Sequence, residues 1–305
     1  EGYKNEEYSR WLDKSKKVYS KNLVSSMIAL IILTAFYIIV TAIRSNIYFL
    51  YGYIVLWVAL MVFAVERKKE ETKKELVFTP RAKRLFTSNI IVNILELLIV
   101  LLIYGAIVRK TEYFMPILLF TESIIHFLQP QNMILANILV LPVEKRVNLF
   151  YYTQAQNKIK SMESLKTVGI TGSFGKTSTK FIVSTILGEK YNVLKTPESF
   201  NTPMGISKVI NNQLTDEYDV FIAEMGARNV GDIKELASLV SPKIGIITSI
   251  GPAHLDTFKN LDNIAKTKYE LIEELPADGI AIFNYDNEYI KKLADKTFKE
   301  KILYG

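Results

Sequence analysis

The sequence predicts two unlike parts. The first is a membrane α-helical N-terminal region. The second is an α/β P-loop domain, a mostly parallel sheet with helices on both faces. Three observations predict this. Residues 23–43 and 47–65 are apolar and carry no charge. Strand-like and helix-like stretches alternate from residue 166 onward. One strand-to-helix turn in that series is the glycine-rich segment GSFGKTS, residues 172–178.

The N-terminal elements come first. LVSSMIALIILTAFYIIVTAI (23–43) and IYFLYGYIVLWVALMVFAV (47–65) each match the length of a helix crossing a hydrocarbon core of about 30 Å. Residues 90–108 form a third candidate with a single carboxylate, Glu96. A fourth apolar region, about 113–141, is interrupted by Pro116, Glu122, His126 and the QPQN break at 129–132. It reads as one kinked span, or as a short span followed by an interfacial helix. Glu96 and Asn93 are polar groups at membrane depth. Interhelical hydrogen bonding explains them better than a binding site does, and His126 is read the same way. Residues 1–150 are thus expected to form a membrane region of about four spans, followed by a linker helix at 151–164.

Orientation follows from the flanking charges. Six Lys or Arg precede the first span, Arg44 alone follows it, and eight follow the second. The third is followed by Arg109 and Lys110. This places the N-terminus in the cytoplasm and, with four spans, the second half there too. Residues 1–160 hold 21 Lys+Arg against 12 Asp+Glu, and residues 161–305 hold 17 against 19. The total of +7 is therefore topology charge beside lipid headgroups, offset by a mildly acidic second half. No basic stripe interleaved with aromatics occurs in that half, so no nucleic-acid partner is expected.

A length of 305 residues fits two domains at roughly 100–200 residues each. A hydrophobic fraction of 49% excludes disorder. The absence of cysteine excludes a disulfide scaffold and any Cys-ligated zinc or iron–sulfur site, and two histidines leave little for a His-based cage.

In the second half, strands are predicted at 166–171, 191–194, 218–223, 243–248 and 279–283. Helices are predicted after the glycine-rich turn and over 203–212, 231–240, 260–275 and 287–297. Such alternation implies a parallel sheet with ligands beyond the C-terminal strand ends. The glycines Gly172 and Gly175 let backbone N–H groups surround phosphate oxygens, with Ser173 and Ser178 beside them. Lys176 supplies positive charge, and the Thr177 hydroxyl suits Mg²⁺. The spacing is shorter than the usual motif, since Ile170 stands where a further glycine is usual. Glu224, ending an apolar strand, is placed to hold Mg²⁺ across from the loop. His254 follows another strand end in TSIGPAHLDTF.

GITGSFGKTSTK, FNTPMGI, AEMGARNVGDI, TSIGPAHLDTF and AKTKYELI occur in this order and spacing. Together they resemble the central ATP-binding domain of the Mur ligase family, the MurF-type branch in particular, over roughly 165–305. The resemblance implies amide-bond formation in cell-wall precursor synthesis. ATP would phosphorylate a peptide carboxylate to an acyl phosphate, which an amine such as D-alanyl-D-alanine attacks. It implies ATP and two Mg²⁺, with Lys176 on the phosphates and Thr177, Glu224 and His254 around the metals. It implies Asn201 near the reacting phosphate, and Asn284 and Asp286 beside the adenine. Lys268 matches the lysine that the family carbamylates, giving an anion for the second metal. Phe174 departs from the small or polar residue common at its place. Membrane spans stand where the family has its UDP-sugar domain, so the carboxylate substrate is UDP-linked or lipid-linked. The chain starts at Glu1 and stops at Gly305, where the family continues into a third domain. That ligase domain is therefore expected to be absent, and this truncated chain inactive. The expected location is the bacterial cell membrane, multi-pass, with the ATP-binding domain cytoplasmic. Two alternatives stand beside this: a non-enzymatic nucleotide-binding scaffold for other cell-wall enzymes, and a related ligase making another polymer such as polyglutamate.

Overall fold

The computed structural model describes residues 5–14, 19–44, 46–65, 78–107, 111–198 and 200–305. The basic run at 66–77 and the pair Arg109–Lys110, which the topology argument uses, lie outside these residues. The chain divides into two compact units, Glu1–Lys145 and Arg146–Gly305.

The first unit is helical: α1 Asn5–Lys14, α2 Lys21–Ile43, α3 Ile47–Ala64, α4 Pro80–Ile107, α5 Thr111–Phe127 and the first part of α6 Gln129–Ser161. The Ser20 side chain caps α2 by accepting from the Leu23 N–H at 3.0 Å, and Asn46 caps α3 through Tyr48 N–H at 3.0 Å. Three helices, Lys21–Ile43, Ile47–Ala64 and Pro80–Ala106, are long and apolar enough to cross a membrane. Only 22%, 11% and 11% of their apolar windows are buried, so most of this apolar surface faces outward. The polar groups turn inward instead. Thr34 Oγ1 and Tyr53 Oη lie 2.9 Å apart in the interior, and Tyr53 donates to the Pro116 carbonyl at 3.1 Å. The Trp57 indole N–H donates to Ser123 Oγ at 2.8 Å. Glu96 accepts from Asn132 Nδ2 at 2.8 Å, and Gln129 Nε2 donates to Asn93 Oδ1 at 2.8 Å. These are the interhelical bonds anticipated for the polar residues of α4.

The fourth apolar region is two helices. α5 and α6 meet at a 72° bend around Leu128. Pro130 explains the break, because it lacks the N–H that continues a helix and disfavours helical backbone before it. The expected linker helix is not a separate element. α6 runs unbroken to Ser161, and its final turns bury Ala155 and Ile159 in the core of the second unit.

That unit holds β1 Lys166–Thr171, α7 Lys176–Gly188, β2 Val193–Lys195, α8 Pro203–Gln213, β3 Val220–Glu224, α9 Asp232–Val240 and β4 Ile244–Ile247. After them come α10 Leu255–Phe258, α11 Leu261–Glu273, β5 Ile280–Asn284, α12 Glu288–Lys296 and β6 Glu300–Tyr304. The six strands lie in the order β2-β3-β1-β4-β5-β6, and every pairing is parallel. Alternation along the strands builds two cores. Val168, Ile170, Val220, Ile222 and Ile246 face α7, with Val183 and Leu187 packed against them. Phe221, Ala223 and Ile247 face the other way, into the larger core with Ile206, Leu236 and Leu271. Gly169 admits close helix packing: a Cβ there would lie 2.8 Å from Leu271 Cδ1. α11 therefore lies close on β1, which fixes Lys268 one turn earlier on that helix. β1 is central, with β3 on one side and β4 on the other. The chain reverses direction across the sheet there, the place where open α/β sheets bind ligands.

Candidate active site

The loop after β1 turns on two glycines with positive φ, Gly172 at 153° and Gly175 at 80°. It is stapled to the segment after β4. Ser173 N–H donates to the Ser249 carbonyl at 2.7 Å, and Phe174 N–H to Ser249 Oγ at 2.8 Å. Thr248 Oγ1 donates to the Phe174 carbonyl at 2.6 Å. Two loop N–H groups are thus already paired. The first-turn N–H groups of Lys176, Thr177 and Ser178 precede the first intrahelical bond, Thr179 N–H to Gly175 carbonyl at 2.9 Å. They are the donors that a helix N-terminus presents to an anion. At Gly172 a Cβ would meet Thr248 Oγ1 at 2.1 Å and the Ser249 backbone nitrogen at 3.0 Å. Gly172→Ala is therefore expected to lower stability by about 1–3 kcal/mol and to weaken phosphate binding. Thermal melting and a phosphate-ligand titration check this; an unchanged melting temperature contradicts it.

Lys176 folds over the loop. Its ammonium donates to the Gly172 carbonyl at 2.6 Å and the Ser173 carbonyl at 3.3 Å. Burial lowers its pKa, and the Glu224 carboxylate opposes that shift. Glu224 ends β3 and is 1% exposed. Its Oε2 accepts from Thr177 Oγ1 at 2.9 Å, and its Oε1 from Asn201 Nδ2 at 3.2 Å. The segment before α8 carries Asn201, and a Cβ on Gly226 would meet that side chain at 2.8 Å. Thr202 then caps α8 through Gly205 N–H.

A residue the sequence reading missed completes the cluster. Lys180 is 0% exposed, and its ammonium lies 3.0 Å from Glu224 Oε2. It also donates to the Glu198 carbonyl. The available signal was its spacing, one turn beyond Lys176 and on the same side of α7.

Lys268 is buried, 3% exposed, on α11. Its pKa is lowered to about 8, first by burial and then by the nearby Lys176 ammonium, with Asp232 and Glu270 opposing. Those two acids are engaged elsewhere. Glu270 accepts from the N–H groups of Gly231 and Lys234, and Asp232 from those of Arg228 and Asn229.

The structure draws Thr177, Glu224 and Asn201 together, and it does not gather the whole expected metal set. His254 is exposed, in left-handed backbone (φ 55°) ahead of α10. Its imidazole is not a partner of Glu224. Among the described residues no three His, Cys, Asp or Glu are grouped to hold a metal. A hydroxyl and a carboxylate sharing one hydrogen bond still fit one hard cation, because Mg²⁺ binds through one or two carboxylates plus phosphate oxygens and waters. Lys268 as an amine offers no anionic oxygen, so it suits a second cation only after modification. Asn284 is tied into the loops at the C-terminal strand ends. Its Nδ2 donates to the Thr248 carbonyl at 2.9 Å and its Oδ1 accepts from Asp286 N–H at 3.2 Å. It braces the loop after β4.

The family model for the Mur ligase middle domain matches residues 170–305. The UDP-N-acetylmuramoyl-tripeptide--D-alanyl-D-alanine ligase of Mycobacterium leprae is 41% identical over 133 residues, 44% of this chain and 26% of that protein. The Escherichia coli ligase of the same name is 36% identical over 129 residues, 42% of this chain and 28% of that protein. The chain thus spans under a third of the length of the curated relatives it matches. A crystal structure of MurF from Acinetobacter baumannii superposes with a TM-score of 0.50 at 26% identity, covering 52% of this chain and 35% of that one. Residues 170–305 are thus a Mur ligase middle domain, similar in sequence and in structure to that of MurF-type ligases.

Proposed function

We propose that the chain is part of a membrane-anchored, ATP- and Mg²⁺-dependent amide ligase of bacterial cell-wall precursor synthesis. A muramoyl-peptide carboxylate, UDP-linked or lipid-linked, attacks the γ-phosphorus of ATP and releases ADP. The amine of D-alanyl-D-alanine then attacks the acyl phosphate and expels inorganic phosphate, leaving the amide. The observation that supports this best is the arrangement around Glu224. Thr177, Asn201 and the Lys176 loop converge at the C-terminal ends of β1 and β3. Lys176 and the first-turn N–H groups of α7 bind and orient the phosphates. Asn201 is placed to donate toward the transferred group. Thr177 and Glu224 would hold a Mg²⁺ that neutralises phosphate charge. Lys268, carbamylated, would supply an anionic ligand for a second, with His254 brought in by movement of its exposed loop.

Membrane anchoring rests on the outward apolar faces and inward polar groups of α2 to α5. The basic flanks put the α/β domain in the cytoplasm of a multi-pass protein. The full-length protein in detergent, given ATP and Mg²⁺, is expected to release ADP only when both UDP-muramoyl tripeptide and D-alanyl-D-alanine are present. ADP release indifferent to the amine overturns the ligase reading in favour of a nucleotide-binding scaffold.

A further inference from the structure

Lys180 has no place in the phosphate-binding reading of the loop, yet it is fully buried beside the carboxylate that reading depends on. Glu224 Oε2 accepts two hydrogen bonds, from the Thr177 hydroxyl at 2.9 Å and the Lys180 ammonium at 3.0 Å. A buried carboxylate without a counter-charge is strongly unfavourable, and the Lys180 ammonium supplies that counter-charge to Glu224. The oxygen it holds is the one that, with Thr177, would face a divalent cation. A resident cation and an arriving one therefore compete for a single atom.

The local charge decides the competition. Two ammonium groups, those of Lys180 and Lys176, face the single carboxylate of Glu224, while the charge of Lys268 is met by Asp232 and Glu270. The Lys176 ammonium interacts with both Glu224 and Lys268. A divalent ion arriving alone would enter a region already net positive. A polyphosphate reverses that sign. We propose that Lys180 makes divalent-cation binding conditional on nucleotide: its ammonium occupies Glu224 and excludes the bare ion until phosphates arrive. Its second bond, to the Glu198 carbonyl, keeps the ammonium in place. Glu198 itself lies in left-handed backbone, φ 39°.

The inference rests on Thr177 and Glu224 as the cation ligands. It is tested on the nucleotide-free full-length protein by titrating Mn²⁺ and following the loss of the free-ion electron paramagnetic resonance signal. Lys180→Met keeps the length and removes the charge. It is expected to bind bare Mn²⁺ about tenfold or more tightly than the unsubstituted protein. Lys180→Arg should resemble the unsubstituted protein, and adding Glu224→Gln to Lys180→Met should abolish the gain. Equal or weaker Mn²⁺ binding by Lys180→Met overturns the proposal. If melting shows that this variant does not fold, Lys180→Gln carries the same comparison, since its amide still donates to Glu224 and Glu198. Absence of ATP binding by the unsubstituted protein would instead count against the ligase reading and leave the Mn²⁺ comparison intact.

Discussion

In the proposed ligase, Lys176→Ala is expected to abolish ligation, with a loss in kcat/KM of about 10³-fold or more and ATP affinity weakened by about 10- to 100-fold. The ammonium sits over the loop, bonded to the Gly172 and Ser173 carbonyls, with its stem partly buried. Two effects combine. The first is loss of a charge-assisted bond to the phosphates, worth about 1.5–3 kcal/mol in binding. The second appears only in the transition state, as charge shifts toward the leaving ADP oxygen and no preorganised cation meets it. The split between the two is measurable. Isothermal titration with a non-hydrolysable ATP analogue reports the first, and single-turnover ADP formation reports the sum. Lys176→Met controls for lost stem packing and should be as inactive as alanine. Undiminished turnover in either variant overturns the role given to Lys176.

The arrangement that makes Lys176 decisive was largely legible in the sequence. Strand, glycine turn and helix at 166–188 are local events. The Gly172 and Gly175 positions and the alternation of Val168 and Ile170 dictate them without help from distant residues. The helices at 203–213 and 261–273 begin at side-chain caps, Thr202 and Asn260, that a sequence displays directly. What escaped reading depends on contacts across the fold. β6, EKILY, is a short edge strand with all five residues exposed, so it lacks the apolar alternation of a half-buried strand. It forms because β5 offers it a partner edge. Lys180 looks like an ordinary helix lysine until the Glu224 carboxylate and Glu198 carbonyl are known to converge on it. The position of His254 rests on one left-handed residue in a loop, and Asn284 on a carbonyl of the neighbouring strand's loop. Such pairings are set by tertiary geometry, and local spacing does not encode them.

The same contrast makes Lys268 the sharper test. Lys268→Met is expected to do two opposite things: reduce ligation by about 100-fold or more and raise the stability of the α/β unit. The fold lowers this lysine's pKa from 10.5 to about 8. Below pH 8 the charged amine is held in a buried place, and the folded state bears the full penalty. Between pH 8 and 10.5 the unfolded chain binds the extra proton, so stability rises with pH across that window. The shift corresponds to about 3 kcal/mol as an upper scale. Methionine removes the penalty while keeping the packing, so a gain of about 1–3 kcal/mol is expected at pH 7. The gain should vanish as pH approaches 10.5, and melting of both proteins across pH 7–10 measures it. The catalytic loss has the same origin. Only a free amine adds CO₂, and a pKa near 8 leaves about a tenth of the side chain unprotonated at pH 7, against well under a thousandth at 10.5. In the proposed reaction, burial would prepare Lys268 for conversion to a carbamate, a carboxylate-like anion. ¹³C-labelled bicarbonate should give a carbamate resonance in the unsubstituted protein and none in Lys268→Met. Lys268→Ala, which leaves space, should be partly rescued by short carboxylic acids. A variant that is stabilised yet fully active shows that the buried amine has no part in the reaction. One that is destabilised shows that the amine is held by partners stronger than Asp232 and Glu270.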